Sequence, residues 1–576
     1  MGFEQDLFML KIESVLQNTI DEIYHDSVTV AERESLMTFY RSRNFSPVLL
    51  ISFEDTILFH SLLSSLQNSG SHGLNPQDYN TNNIASFYQE AFTKDSISAE
   101  ERHRSLASAE ISLASGVLKY ISHLKYGRIN PKNIFDSDYA IPVGDSATRV
   151  YLEPLQSEDI LEYIAQTEFR DERYNNLRLA VPYYEELKTH EWKKIPYFSK
   201  KMKAGDSDTH FPMIAERLNQ LDFFDTTGID IHSQVIYDSN LVKALTQFQE
   251  ERGLAPDGIP GKSTIDWLNV TPDEYLQKIY LSLERYRWTT YTDSSDYLLV
   301  NIPAFTVYMY EEGKLTGEIK VCTGKKRSKY YADQLARYKK TRNIRHRPDD
   351  WETPQLYSEI SHVILNPTWT VPPSIIREEL YNEYRKDTTY LLRKKFKVYL
   401  NNEEVNPSEV DLRNYSPEKI PYSFVQSPDP FNALGRLKFI FQNRFGVYLH
   451  DTPTRLPFGY ANRAVSHGCV RVEKPYLLAE YLLRNHSRWN LDYVKIETGV
   501  KVADKEVVKE YYQNRKQLRQ VDNKEKTTTV KLEKKIALFI DYYTSWVNEK
   551  GRVQFRDDIY EKDRLLGAAL GYSAGG

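Results

Sequence analysis

Apolar residues recur every three or four positions through the first third of the chain, a spacing that predicts helices. In "DLFMLKIESVLQNTI" it puts Leu7, Leu10, Val15 and Ile20 near one face, and "AEERHRSLASAEISLASGVLKYISHLKYGRINP" reads as a long helix stopped by Gly127 and Pro131. After the linker-like "KKMKAGDSDTH" comes a small three-helix unit. Leu241, Val242, Leu245 and Phe248 share one face there, Gly253 fits the helix end, and "PDGIPG" turns the chain into a last helix near Ser263. From Tyr297 the period changes to two, with Ile302, Phe305, Val307 and Met309 among polar residues, and "EEGK" predicts a hairpin turn into "LTGEIKVC". "ISHVILNPTWTVPPSI" supplies another strand and a proline-stiffened bend, and "ALGRLKFIFQNRFGVYLHDTP" two more strands around a turn near Gln442 and Asn443. Between them, residues 377–430 read as helix and then as a loop rich in Asn, Pro and Ser. Such an excursion from a β scaffold is expected to cover a site. "DYVKIETG" closes the β region, "DKEVVKEYYQNRKQLRQ" reads as an exposed helix, and "VKLEKKIALFIDYYTSWVNEKGRVQF" as a terminal hairpin turning at "NEKG".

These patterns predict a multidomain α+β chain, since 576 residues exceed what one core usually organises. The expected units are a helical scaffold at 1–200, a three-helix module at 207–272, a β-rich domain at 280–500 with its 377–430 insertion, and a helix and hairpin at 501–576 packing on it. Hydrophobic residues at 40% and charged ones at 27% fit a folded globular chain, and a net charge of -5 gives no sign of a nucleic-acid or membrane-surface binder. One segment departs from that balance. "KKRSKYYADQLARYKKTRNIRHR" carries ten Lys or Arg against one Asp, and reads as a solvated loop or as a surface for an anionic polymer or lipid. No apolar run is long enough to span a bilayer. The start "MGFEQDLFMLKIESVLQ" lacks the order of a signal peptide, and is read as a mature terminus from which an export signal has been removed.

Only two cysteines occur, Cys322 and Cys469, too few for a disulfide framework. Cys322 sits inside a β pattern with no histidine close by in sequence and reads as a core residue. Cys469 lies in "SHGCVR", and His450 stands 19 residues earlier at the end of the apolar strand "FGVYLH". A cysteine nucleophile needs a base and donors for an oxyanion. His450 is the candidate base, the amides of His467, Gly468 and Cys469 are candidate donors, and Arg471 can hold a carboxylate. Two other readings stay open at this point: a small core residue, or a zinc ligand alongside His450 and His467.

The same residues resemble the L,D-transpeptidases of bacterial cell-wall synthesis, whose signature is a His, a spacer, then Ser-His-Gly-Cys, an apolar residue and Arg or Asn. "LERYRW", "LLVNIPAFTVYMYEEGK", "ILNPTWTVPPSI", "NALGRLKFIFQNRFGVYLHDTP" and "SHGCVRVEKP" follow in the order of the large periplasmic branch of that family. The three-helix unit looks like a peptidoglycan-binding module, and the first ~190 residues look like that branch's scaffold. The resemblance implies a β-rich catalytic domain with an inserted lid and a cysteine acyltransferase that makes 3→3 cross-links between peptidoglycan stem peptides with release of D-Ala. L,D-carboxypeptidase activity, or wall binding without catalysis, are the alternatives. Cys469 would be the nucleophile and His450 the base; Ser466, His467 and Gly468 would form the oxyanion hole and its support. The resemblance further implies no cofactor or metal, peptidoglycan peptides and glycan as partners, carbapenem β-lactams as covalent inhibitors, and a periplasmic or cell-envelope location. Two features depart from the family pattern: a basic insertion separates Lys325 from Thr353, and the lid segment is too dissimilar to transfer contacts.

Overall fold

The computed structural model describes residues 5–22, 30–50, 56–93, 97–135, 138–143, 152–168, 171–227, 230, 236–289, 296–343, 346–518 and 527–572. The helix Gln5–Glu22 buries Phe8, Ile12, Val15 and Leu16, and Leu10 is exposed. The expected face was therefore rotated: positions i, i+4, i+7 and i+8 from Phe8 make a tighter stripe than the one drawn from Leu7. The Ile20 side chain lies outside the described residues. The long helix Ala99–Tyr126 begins at a Ser98–Glu101 capping box and ends at Gly127. Its buried Glu110 accepts the backbone N–H groups of Val48, Leu49 and Leu50 and the Tyr40 hydroxyl.

The small unit contains helices Phe211–Gln220, Ser239–Glu251 and Lys262–Leu268. Buried Gln249 holds the "PDGIPG" turn, accepting from Gly258 N and donating to Asp257, the Ile259 carbonyl and Thr264. Helix Pro272–Trp288, which carries "LERYRW", ties the units together. Its Glu284 accepts the N–H groups of Arg128 and Ile129 at the end of the helical region, and its Arg285 pairs at 2.5 Å with Asp563 near the C-terminus.

Eight strands close into a ring: β1 (Tyr297–Asn301), β2 (Thr306–Glu311), β3 (Lys314–Gly324), β4 (Gln355–Leu365), β5 (Leu437–Phe441), β6 (Leu449–His450), β7 (Val470–Val472) and β8 (Thr528–Asp541). Their spatial order is β4-β5-β6-β7-β3-β2-β1-β8, and β8 pairs back onto β4. The β8 finding changes the reading of the C-terminal segment. What the local pattern gave as one hairpin is a long strand inside the main ring, parallel to β1 and antiparallel to β4, followed by a short hairpin of Ser545–Val547 and Val553–Phe555. The segment expected to close the β region is instead a helix, Leu491–Glu497, and the helix Lys505–Leu518 buries Tyr511 and Leu518 rather than lying wholly exposed. Alternate strand residues (Leu298, Val300, Val321, Val363, Phe439, Leu449, Val470) meet Leu478, Leu482 and Val494 from the following helices in one core.

The segment expected to be a lid is a folded subdomain. Strands Trp369–Thr370, Phe396–Leu400, Glu403–Val405 and Tyr422–Gln426 make a second sheet with its own core of Val371, Leu380, Leu391, Val398 and Phe424. The stretch read as loop thus holds three strands. The basic insertion forms helix Tyr331–Thr341, which buries none of its residues.

Candidate active site

Strand register puts the chemistry on one face of the ring. β6 lies between β5 and β7, with Lys438 opposite His450 on one side and Arg471 opposite His450 on the other; Arg471 in turn lies opposite Cys322. The intervening residues Phe439, Leu449 and Val470 are fully buried in the core, so the alternation sends Lys438, His450 and Arg471 to the other face. Tyr448 and Cys469 each stand one residue before this core row, and the Val470 N–H donates to the Tyr448 carbonyl at 3.1 Å, which draws the two together.

His450 is 6% exposed, and its Nδ1 lies 2.5 Å from the Asp451 carbonyl oxygen. A carbonyl can only accept, so Nδ1 carries the proton and Nε2 keeps its lone pair. Burial, then the charges of Arg471 and Lys438, push His450 down to about 3, while the Asp451 carbonyl works the other way. Burial pushes the Cys469 thiol up, opposed by the Tyr448 backbone and hydroxyl and by the Lys438 and Arg471 charges. Both shifts favour the uncharged forms, imidazole and thiol. Asp451 is itself pinned: its carboxylate accepts from Thr452 N, Arg436 N and Arg455 at 2.6–2.8 Å.

The "SHGC" loop is tightly wired. Ser466 Oγ donates to the Cys469 carbonyl at 2.5 Å and accepts the Gly468 N–H at 3.2 Å. Gly468 has φ +104°, a conformation that disfavours any side chain. Its amide, expected among the oxyanion donors, is thus committed to Ser466. Among the described residues the His467 and Cys469 amides donate no hydrogen bond, so they remain as donors. Thr353 accepts the Gly324 N–H at 2.8 Å and donates to the Gly468 carbonyl at 2.9 Å, and Tyr560 donates to the Gly324 carbonyl at 2.5 Å. These bonds close the neck of the basic insertion: the chain leaves at Gly324 and returns at Thr353 to the same point against the loop. A Cβ at Gly324 would run into the Trp351 carbonyl oxygen.

The His467 ring meets residues of the 377–430 segment and of the basic insertion. Its Nε2 lies 3.0 Å from Glu379 Oε1, without the alignment of a hydrogen bond, and its ring packs edge-on to Trp351 at 4.5 Å. The His467 contact, then the Lys325 and Arg471 charges, hold the Glu379 carboxyl below its usual range against its burial. Arg377 pairs with Asp349, joining the 377–430 segment to the basic insertion. Among the described residues no group of three or more His, Cys, Asp or Glu side chains is disposed to hold a metal ion.

Sequence reasoning missed Tyr448, Lys438, Thr353 and Glu379. Lys438 carried a signal: it is the charged residue in the otherwise apolar "LKFIF", two strand positions from which a polar face could be drawn. The Lys438 Nζ sits 3.8 Å from the centre of the Tyr448 ring.

Residues 295–503 match the family model of the L,D-transpeptidase catalytic domain, residues 34–180 a scaffold domain, and residues 213–268 the "Putative peptidoglycan binding domain". A protein of Haemophilus influenzae titled "Putative L,D-transpeptidase" is 29% identical over 294 residues, which is 51% of this chain and 49% of that one. The chain thus spans about half the length of that curated relative. The crystal structure of an L,D-transpeptidase (residues 123–326) from Xylanimonas cellulosilytica aligns at 14% identity over 51% of this chain and 95% of that one, with a TM-score of 0.17, too low to lay one fold on the other. No described helix is long and apolar enough to cross a membrane. Residues 295–503 thus match an L,D-transpeptidase catalytic domain, and the same chain carries matches to a scaffold domain and a peptidoglycan-binding domain.

Proposed function

We propose that this chain forms 3→3 cross-links between peptidoglycan stem peptides through a thioester on Cys469. The observation that supports the reading is that Cys469 precedes the strand whose Arg471 lies opposite the buried His450, and that His450 Nδ1 is fixed on the Asp451 carbonyl, which leaves Nε2 as base. His450 Nε2 takes the thiol proton as sulfur attacks the carbonyl of the L-centre at stem position three. The tetrahedral oxyanion is met by the Cys469 and His467 amides. Collapse breaks the bond to D-Ala, whose nitrogen takes the proton back from His450, and D-Ala leaves. The side-chain amine of a diamino acid on a second stem then attacks the thioester, giving its proton to His450, and expulsion of the thiolate makes the cross-link. Water in place of the amine would give L,D-carboxypeptidase activity.

In this reading residues 1–200 brace the catalytic unit, residues 207–272 hold glycan, and residues 280–500 with the 377–430 lid carry the chemistry in the cell envelope. Carbapenems, which present a strained amide carbonyl, would acylate Cys469. The test is a digest of tetrapeptide muropeptides analysed by mass spectrometry. Dimers bridged between two third positions, with free D-Ala, support the proposal; D-Ala with no dimer at high acceptor concentration favours the carboxypeptidase, and no turnover leaves a wall-binding protein.

A further inference from the structure

His450 is the middle member of a row of three. Lys438 on β5 and Arg471 on β7 lie directly opposite it, one on each neighbouring strand and on the same face. Directly opposed side chains in a sheet have Cβ atoms about 5 Å apart, so a protonated His450 would be a cation between two cations. Counter-charges are missing from this row. Among the described residues no carboxylate comes within ion-pair distance of Lys438 or Arg471; Lys438 rests its ammonium against the Tyr448 ring. The remaining groups around His450 do not supply one either. Tyr448 meets it edge-on at 5.5 Å, Cys469 is a thiol, and the Asp451 carboxylate is engaged by Arg455 and two backbone amides. Glu379 of the lid acts on Arg471 only at a distance and sits 3.0 Å from His467. Two half-buried cations thus flank His450 with no carboxylate side chain, among the described residues, to balance them.

We infer that Lys438 and Arg471 form a receptor for a small carboxylate beside Cys469, and that filling it lets His450 carry a proton between the two cations. The inference rests on the reading of Cys469 and His450 as nucleophile and base. The matching group on a stem peptide is the terminal carboxylate of the donor, three bonds from the carbonyl that sulfur attacks. A carboxylate there offsets both positive charges and restores the ability of His450 to take the thiol proton. A donor lacking it would leave the pair inert, which discriminates against stems without a free terminal carboxylate and against water-driven side reactions before a substrate is seated.

The experiment compares the rate of Cys469 alkylation in the full chain by iodoacetate, which carries a carboxylate, with that by iodoacetamide, its neutral counterpart. Labelling is followed at the Cys469 peptide so that Cys322 does not contribute. The account expects the iodoacetate-to-iodoacetamide ratio to exceed that of free cysteine by about tenfold, the size of one screened charge contact in a partly dehydrated cleft. Lys438→Met and Arg471→Met should each lower the ratio toward the free-cysteine value, and Lys438→Arg should retain it. A wild-type ratio equal to that of free cysteine, or one unchanged in both Met variants, overturns the receptor while leaving the nucleophile in place. A Cys469 that neither reagent labels overturns the nucleophile reading and the receptor with it.

Discussion

Thr353 offers the most direct test of how the basic insertion is tolerated beside the "SHGC" loop. Its hydroxyl is fully buried and makes two bonds, accepting from Gly324 N and donating to the Gly468 carbonyl. Thr353→Val keeps the shape and removes both. Each lost bond is worth about 1 kcal/mol net, and each buried backbone group left without a partner adds to that, so the substitution should cost about 2–4 kcal/mol. Thr353→Ser keeps the hydroxyl and loses one methyl group, and should cost about 1 kcal/mol. A multidomain chain has no single unfolding free energy, so the cost is best read from the calorimetric transition of the catalytic domain together with amide exchange at Gly324. The Gly324 amide should exchange about 30-fold faster or more in the Val variant, the factor that corresponds to ~2 kcal/mol. If Thr353→Val costs no more than Thr353→Ser and Gly324 stays protected, the neck is held by something other than this hydroxyl.

Other expectations follow from the same geometry. Gly468→Ala places a side chain at φ +104° and should destabilise the "SHGC" loop by about 1–3 kcal/mol and slow Cys469 acylation, whereas wild-type acylation in this variant would show that the loop conformation is not required. His450 sits at about 3 in the native state and near 6.5 when unfolded, so below about 6.5 the unfolded chain binds a proton that the native one does not. Stability should therefore fall as pH drops from about 6.5 to about 3, by at most about 1.4 kcal/mol per unit, and His450→Gln should remove that part of the slope; equal slopes in both proteins would contradict the depressed value. Glu379 is held below the usual glutamate range, so its contact with His467 is present above that range and lost as pH falls through the depressed value. Glu379→Gln should mimic the acid state and speed amide exchange across residues 376–386, and unchanged exchange would remove this contact as a lid latch.

Much of the site was legible because its chemistry is written in short stretches: "YLHDTP" and "SHGC" each keep their residues within one strand end or one loop. What was hidden depends on pairings between distant segments. β8 lies more than 160 residues from its partner β4, and its polar Glu533, Lys534 and Lys535 fall at a register shift that breaks the alternation, so the local pattern suggested a peripheral hairpin. The strands of the 377–430 segment carried a readable signal that the Asn-rich composition masked. In "FKVYLNNEEV" both Asn401 and Asn402 adopt positive φ, the two-residue turn that joins antiparallel strands. Thr353 was visible as the return point of the insertion, yet its role depends on Gly324 and Gly468 meeting in space. The Lys438–His450–Arg471 row needed strand register, which no single segment encodes.

The central claim is that Cys469 becomes acylated by a stem peptide with His450 as base. It is tested most directly by mixing the chain with a tetrapeptide stem, quenching in acid within the first turnover, and measuring the intact mass. The account predicts a mass gain equal to the stem acyl group without D-Ala, located on the Cys469 peptide, absent in Cys469→Ala and strongly slowed in His450→Gln. An acyl group found on another residue, or one that persists in Cys469→Ala, would contradict it.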